Sequence, residues 1–182
     1  MDVFDAILAR KSVRAYDSRP VPDDVLMKVL EAGRLAPSAS NRQPWFFLTV
    51  TDQEKRKALT GGPFAKFLKE SPVVIVGIGD PQTSSEWCVV DVTIALTQMV
   101  LAATNEGLGT CWIGSFYEDK VKEALGIPGR LKVVAMLAVG YPREKTDLMA
   151  KVMRTRNRKP MEDILSFEQF GNPVPKGMAK QK

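Results

Sequence analysis

A chain of 182 residues, 45% hydrophobic and 26% charged, has the size of one domain and the composition of an ordinary globular core. It contains no histidine, which excludes Ser-His-Asp and Cys-His nucleophile systems and any histidine-bearing zinc site. An enzyme of this composition working near neutral pH is expected to borrow its chemistry from a bound cofactor.

The net charge of +5 is unevenly spread. Residues 1–142 hold sixteen basic and sixteen acidic side chains, whereas residues 143–182 hold ten and five. A basic tail of this kind suits nucleic acid or a phosphate-bearing ligand. Its only aromatic residues, Phe167 and Phe170, offer little for base stacking, so nucleic acid ranks second. Cys88 and Cys111 stand alone, with no Cys-x-x-Cys pairing to suggest zinc or a disulfide framework. No run approaches the roughly 18 apolar residues of a membrane span, and the N-terminus is acidic; a soluble, cytoplasmic protein is expected.

In chain order, Phe4, Ile7 and Leu8 recur at i, i+3, i+4 and predict a short helix with one apolar face. It leads into Arg10-Lys11-Ser12-Val13-Arg14, three cations and a hydroxyl that together can grip an oxyanion. A second basic cluster, Arg154, Arg156, Arg158 and Lys159, lies near the other end. Asp23-Asp24 opens a helix that must stop near Leu35, because Pro37 disfavours helix at Ala36.

Residues 37–44, Pro-Ser-Ala-Ser-Asn-Arg-Gln-Pro, form a loop bracketed by prolines. Asn41 and Gln43 each carry a donor and an acceptor, suited to the edge of a heteroaromatic ring. Residues 45–50 read as a buried strand, 52–59 as a short helix, with another helical piece at 64–68. Residues 72–79 form a continuous apolar run, which predicts a strand covered on both faces. Residues 87–105 are the longest helix, apolar around most of its circumference. Such a helix is expected to be buried on all sides, with a partner subunit against part of it. A short strand at 110–114, a helix at 119–125 and a third buried strand at 131–140 follow. Helices separating strands predict α/β or α+β with one central sheet. Residues 1–142 read as the core and 143–182 as a basic arm.

Neither common nucleotide loop is present. There is no Gly-x-x-x-x-Gly-Lys-Ser/Thr, and Gly107-Leu108-Gly109 lacks a third glycine and follows a helix. Any phosphate is therefore expected at the basic clusters.

Four motifs in order, Arg10-Lys-Ser-Val-Arg14, Ala36-Pro-Ser-Ala-Ser-Asn-Arg-Gln-Pro-Trp45, Gly107-Leu-Gly-Thr-Cys-Trp-Ile-Gly114, and Gly140-Tyr-Pro142 before Arg156-x-Arg158-x-Pro160, resemble the FMN-dependent nitroreductase family. The resemblance covers residues 2–170 and implies an α+β fold: a central, mostly antiparallel sheet flanked by helices, in an intertwined homodimer. It implies bound FMN, with NADH or NADPH as hydride donor in a ping-pong reduction of nitroaromatics or quinones. Arg10, Lys11, Ser12 and Arg14 are then expected to hold the FMN phosphate and pyrimidine edge, with Arg14 raising the flavin's potential. Arg156 and Arg158 resemble a second phosphate clamp. Pro37, Ser38, Ala39, Ser40, Asn41 and Gln43 resemble the loop reaching the flavin from the other subunit. Cys111, Trp112, Ile113 and Gly114 resemble the stretch whose backbone faces the isoalloxazine, and Lys66 corresponds to a family lysine near it.

The chain departs from many bacterial members in having no acid beside the reactive flavin nitrogen. No side chain stands out as the catalytic proton donor, so water is expected in that role. Cys111 reads as a small buried strand residue, not a redox thiol. Other family chemistries stay open: reductive dehalogenation, flavin fragmentation or electron transfer from a protein donor. So does a basic nucleic-acid-binding module without redox activity.

Overall fold

The computed structural model describes residues 1–62, 66–143, 158–173 and 175. The chain divides into two units, Met1–Lys145 and Thr146–Lys182. In the first, four strands form one antiparallel sheet in the order β1-β2-β4-β3: β1 Trp45–Val50, β2 Val73–Gly79, β3 Gly109–Ile113 and β4 Lys132–Gly140. Its helices are α1 Val3–Ala9, α2 Asp23–Arg34, α3 Gln53–Ala58, α4 Cys88–Asn105 and α5 Glu118–Leu125. This is the α+β architecture expected.

Strand alternation builds a core on each face of the sheet. From β2, Val73 and Ile75 enter the core with α2 and α4, while Val74, Val76 and Ile78 enter the other. On β4, Leu137 and Val139 join the first, and Met136 and Ala138 the second. Between Gly77/Ala135 and Ile78/Val133 the register slips, leaving Val134 as an extra residue on β4. β1 corrects the expectation of a buried strand. It is an edge strand, mostly half-buried, with Phe46 51% exposed.

Within the single chain, α4 is buried along one stripe. Its buried face comprises Cys88, Asp91, Val92, Ala95, Leu96, Met99, Val100 and Ala103, whereas Trp87, Val89 and Val90 are exposed. Fully buried residues such as Leu96 and Met99 each contribute about 1.5–3 kcal/mol. With a mean hydropathy of 1.5 over 18 residues, α4 meets the length and composition of a membrane span even though Asp91, Thr93, Thr97 and Gln98 interrupt its apolar run. Here that length serves as a core helix: one stripe lies in the protein interior against the sheet and α2.

In the second unit the described residues form a short 3-10 turn, Met161–Asp163, followed by tight turns. Met161, Ile164, Leu165 and Phe170 are exposed.

Candidate functional site

The N-terminal basic segment is fixed by its backbone. Asp2 caps α1 by accepting from Asp5 N–H at 2.8 Å, and the helix ends where Arg10 N–H donates to Ala6 at 3.0 Å. The chain then runs extended beside the sheet. Ser12 forms a parallel bridge with Thr110, and Val13 N–H donates to the Thr110 carbonyl at 2.8 Å. Further along, Asp17 N–H donates to Tyr141 and Arg143 N–H to Ala15, at 2.9 and 3.1 Å. Val13 is buried, so alternation turns Ser12 and Arg14 to the outer side. Beneath it, the buried Tyr16 hydroxyl donates to the Val13 carbonyl at 2.6 Å.

β3 is the sheet edge that receives this segment. Cys111 and Ile113 point into the core, and Trp112 is 36% exposed. Among the described residues, no strand covers β3's outer side beyond the Ser12 bridge, and an edge strand offers backbone donors and acceptors there. A Cβ on Gly114 would meet nothing within 4 Å, so the end of β3 opens onto free space. Cys111 is buried and forms no disulfide.

The loop before β1 has an unusual backbone. Ser40, Asn41 and Gln43 have φ of 52°, 53° and 49°, each costing roughly 1–2 kcal/mol for a residue with a side chain. Several bonds hold it there. Gln43 N–H donates to Ser38 Oγ at 2.9 Å, and Asp80 N–H donates to Pro44 at 2.8 Å. Gln43 Nε2 donates to the Asn41 carbonyl and Oδ1 at 3.3 and 3.2 Å, so these two amides address each other as well as solvent. From α4, Asp91 Oδ1 accepts from Ala39 N–H at 3.1 Å. Asp91 and Trp87 line one side of an apolar cavity of about 310 Å³, with Pro37, Ser38 and Ala39 on the other.

Within one protomer the basic segment and this loop stand at opposite corners of the sheet. Thr110 is level with Val139 and Val73, at the Val50 end of β1, whereas the loop enters β1 at Trp45, opposite Gly79. That is roughly 20 Å along the strands and roughly 14 Å across them. The structure therefore joins Ser12 and Val13 to Gly109 and Thr110, at the start of the strand that leads to residues 111–114, and keeps residues 37–43 apart from that junction. Arg156 and the side chain of Lys66 lie outside the described residues. Arg158 is exposed, in the second unit.

The model of the nitroreductase family matches residues 7–61 and 62–141. The chain belongs to the nitroreductase family. It is 34% identical over 149 residues to an Archaeoglobus fulgidus protein named as an NADH dehydrogenase/NAD(P)H nitroreductase, covering 78% of this chain and 86% of that one. A solved FMN-dependent nitroreductase from Clostridium difficile R20291 is 32% identical, with a TM-score of 0.71, covering 80% of this chain and 94% of that one. A nitroreductase family protein from Clostridium novyi superposes over 95% of this chain and 97% of its own, at 29% identity and a TM-score of 0.75.

This nitroreductase-family chain has a larger cavity, about 750 Å³, that contains none of the expected site residues. Tyr16, Arg56, Glu70 and Arg143 are among those lining it, and its arginines are engaged. Arg56 donates to the carbonyls of Thr51, Lys69 and Ser71, and partial burial lowers its pKa. Arg143 pairs with Glu70 at 2.8 Å. Sequence reasoning missed Thr110, Gly109 and Asp91. The lone acid in Val89-Val90-Asp91-Val92 was the available signal for the last, masked by its position in a first helical turn, where acids are common.

Proposed function

We propose that this protein is an FMN-dependent oxidoreductase, reducing electron-poor acceptors such as nitroaromatics or quinones with NADH or NADPH. The observation that carries the reading is the hydrogen-bonded junction of residues 10–14 with the start of β3, with open space past the strand's other end at Gly114. The residues fit the cofactor: fixed cations for a phosphate, an uncovered strand edge for polar ring atoms, and room for a flat ring. Bound there, FMN would supply two-electron hydride-transfer chemistry between NAD(P)H and the acceptor, with one open face serving both in turn as a ping-pong scheme requires.

In this reading Arg10, Lys11 and Ser12 hold the phosphate, and Arg14 sets a fixed positive charge at the pyrimidine edge. Arg156 and Arg158, from the basic arm of residues 143–182, complete the phosphate clamp, and Lys66 approaches the ring. Backbone N–H groups of residues 111–114 face the isoalloxazine. Pro37, Ser38, Ala39, Ser40, Asn41 and Gln43 reach it from the second subunit of a homodimer. The separation of that loop from residues 10–14 within one protomer supports the shared site. So do the exposed apolar residues of α1 (Phe4, Ile7, Leu8) and α4 (Val89, Val90), which need cover.

The test is spectroscopic. Purified protein reconstituted with FMN should be yellow and should bleach anaerobically with NADH or NADPH. Rapid mixing with each donor in turn identifies the preferred one. Protein that remains colourless and binds no FMN would eliminate this function and leave the basic binding module as the reading to pursue.

A further inference from the structure

We infer that Asp91 is a positioning residue that pre-orders the loop of residues 37–43 for the cofactor, a role that rests on the flavin reading above. Its place is unfavourable for a carboxylate: on the buried stripe of α4, 2% exposed, between valines. Its one side-chain hydrogen bond among the described residues is the one from Ala39 N–H. Its other oxygen, Oδ2, is buried with no partner among them. A half-satisfied buried carboxylate is costly, so something must maintain it. Among the described residues the bond to Ala39 is the one hydrogen bond that engages this carboxylate.

That bond falls where it matters. Ala39 opens the turn in which Ser40 and Asn41, and then Gln43, adopt left-handed backbone. Without an external anchor such a turn relaxes to ordinary conformations. α4 is an 18-residue helix with one stripe packed in the core, so Asp91 ties the loop to a core helix. A site whose competent conformation is only partly populated binds more weakly by that fraction. If release of Ala39 cuts the ordered population to about a tenth, FMN affinity falls about tenfold.

The experiment compares Asp91→Ala and Asp91→Asn with the parent dimer in two ways: FMN titration by flavin fluorescence, and hydrogen exchange of backbone amides. Asn keeps an acceptor for Ala39 and serves as the rescue. Expected for Asp91→Ala are a roughly tenfold higher Kd and faster exchange confined to residues 38–43, both largely restored in Asp91→Asn. Unchanged exchange in the loop overturns the inference. So does loss of protection along the whole of α4, which would make Asp91 a packing residue. An Asp91→Asn variant as impaired as Asp91→Ala overturns it as well. Should the parent bind no FMN, the cofactor reading fails by itself, and loop exchange alone decides the role of Asp91.

Discussion

Gly109 and Val13 approach so closely that a Cβ on Gly109 would stand 2.6 Å from Val13 Cγ2. Only glycine permits the hydrogen bond that stitches the basic segment to β3. Gly109→Ala should therefore push residues 10–14 off the strand. The expected cost is about 1–3 kcal/mol in denaturant unfolding, accompanied by weaker FMN binding. Gly114→Ala makes the opposite case. Its Cβ would enter open space, so stability should stay within about 0.5 kcal/mol while FMN affinity falls. Equal FMN affinity in parent and Gly114→Ala would move the ring away from the end of β3.

Arg10→Ala removes one charged donor from the proposed phosphate site. At about 1.5–3 kcal/mol for a hydrogen bond to a charged group, FMN Kd should rise roughly ten- to a hundredfold. Fluorescence titration at fixed ionic strength measures it. An unchanged Kd would place the phosphate elsewhere.

The sheet was legible because β2 and β4 are long apolar runs, and a strand covered on both faces has no polar alternation to hide it. The ends of α2 and α4 were legible from Pro37 and from the glycines after Asn105. β1 was misjudged because Trp45-Phe46-Phe47-Leu48 is as apolar as a central strand, and composition does not say which strand is at the edge. The apolar face of α1 was legible as a pattern, yet within this chain only Ala6 of that helix is buried. Periodicity identifies an apolar face but not what covers it. The junction of residues 10–14 with β3 came through resemblance alone, since a single parallel bridge between Ser12 and Thr110 leaves no local pattern.

Tyr16 makes a prediction about alkaline stability. Burial raises its pKa well above the ordinary value, with Cys111 adding to the rise and Arg14 opposing it. The unfolded chain releases this proton near pH ~10, whereas the folded chain retains it to higher pH. Its contribution is thus complete below about pH 10 and is lost as pH climbs from there toward the folded value. Tyr16→Phe should lower stability by about 1–2 kcal/mol at pH 7, since the Val13 carbonyl loses its donor. It should also flatten the decline above pH 10, which urea melts across pH 8–11 would reveal. Parallel declines in parent and variant would show that Tyr16 does not govern it.

The proposed shared site would make cofactor binding depend on assembly. Phe4 and Leu8 are 69% and 72% exposed on α1, and Val90 is 44% exposed on α4. Charges placed on a face that a second copy covers would be buried without partners, which an interface rarely tolerates. Phe4→Glu with Leu8→Glu, or Val90→Asp alone, should reduce the light-scattering mass from twice 20.1 kDa to the single-chain value. Because residues 37–43 would come from the second copy, FMN retention should fall in step with the dimer fraction. The protomer fold should survive, as none of these side chains belongs to either core. Circular dichroism separates that outcome from unfolding. A parent chain that scatters as a monomer while holding FMN tightly would refute the two-subunit site. Variants that stay dimeric would place the contact on some other face.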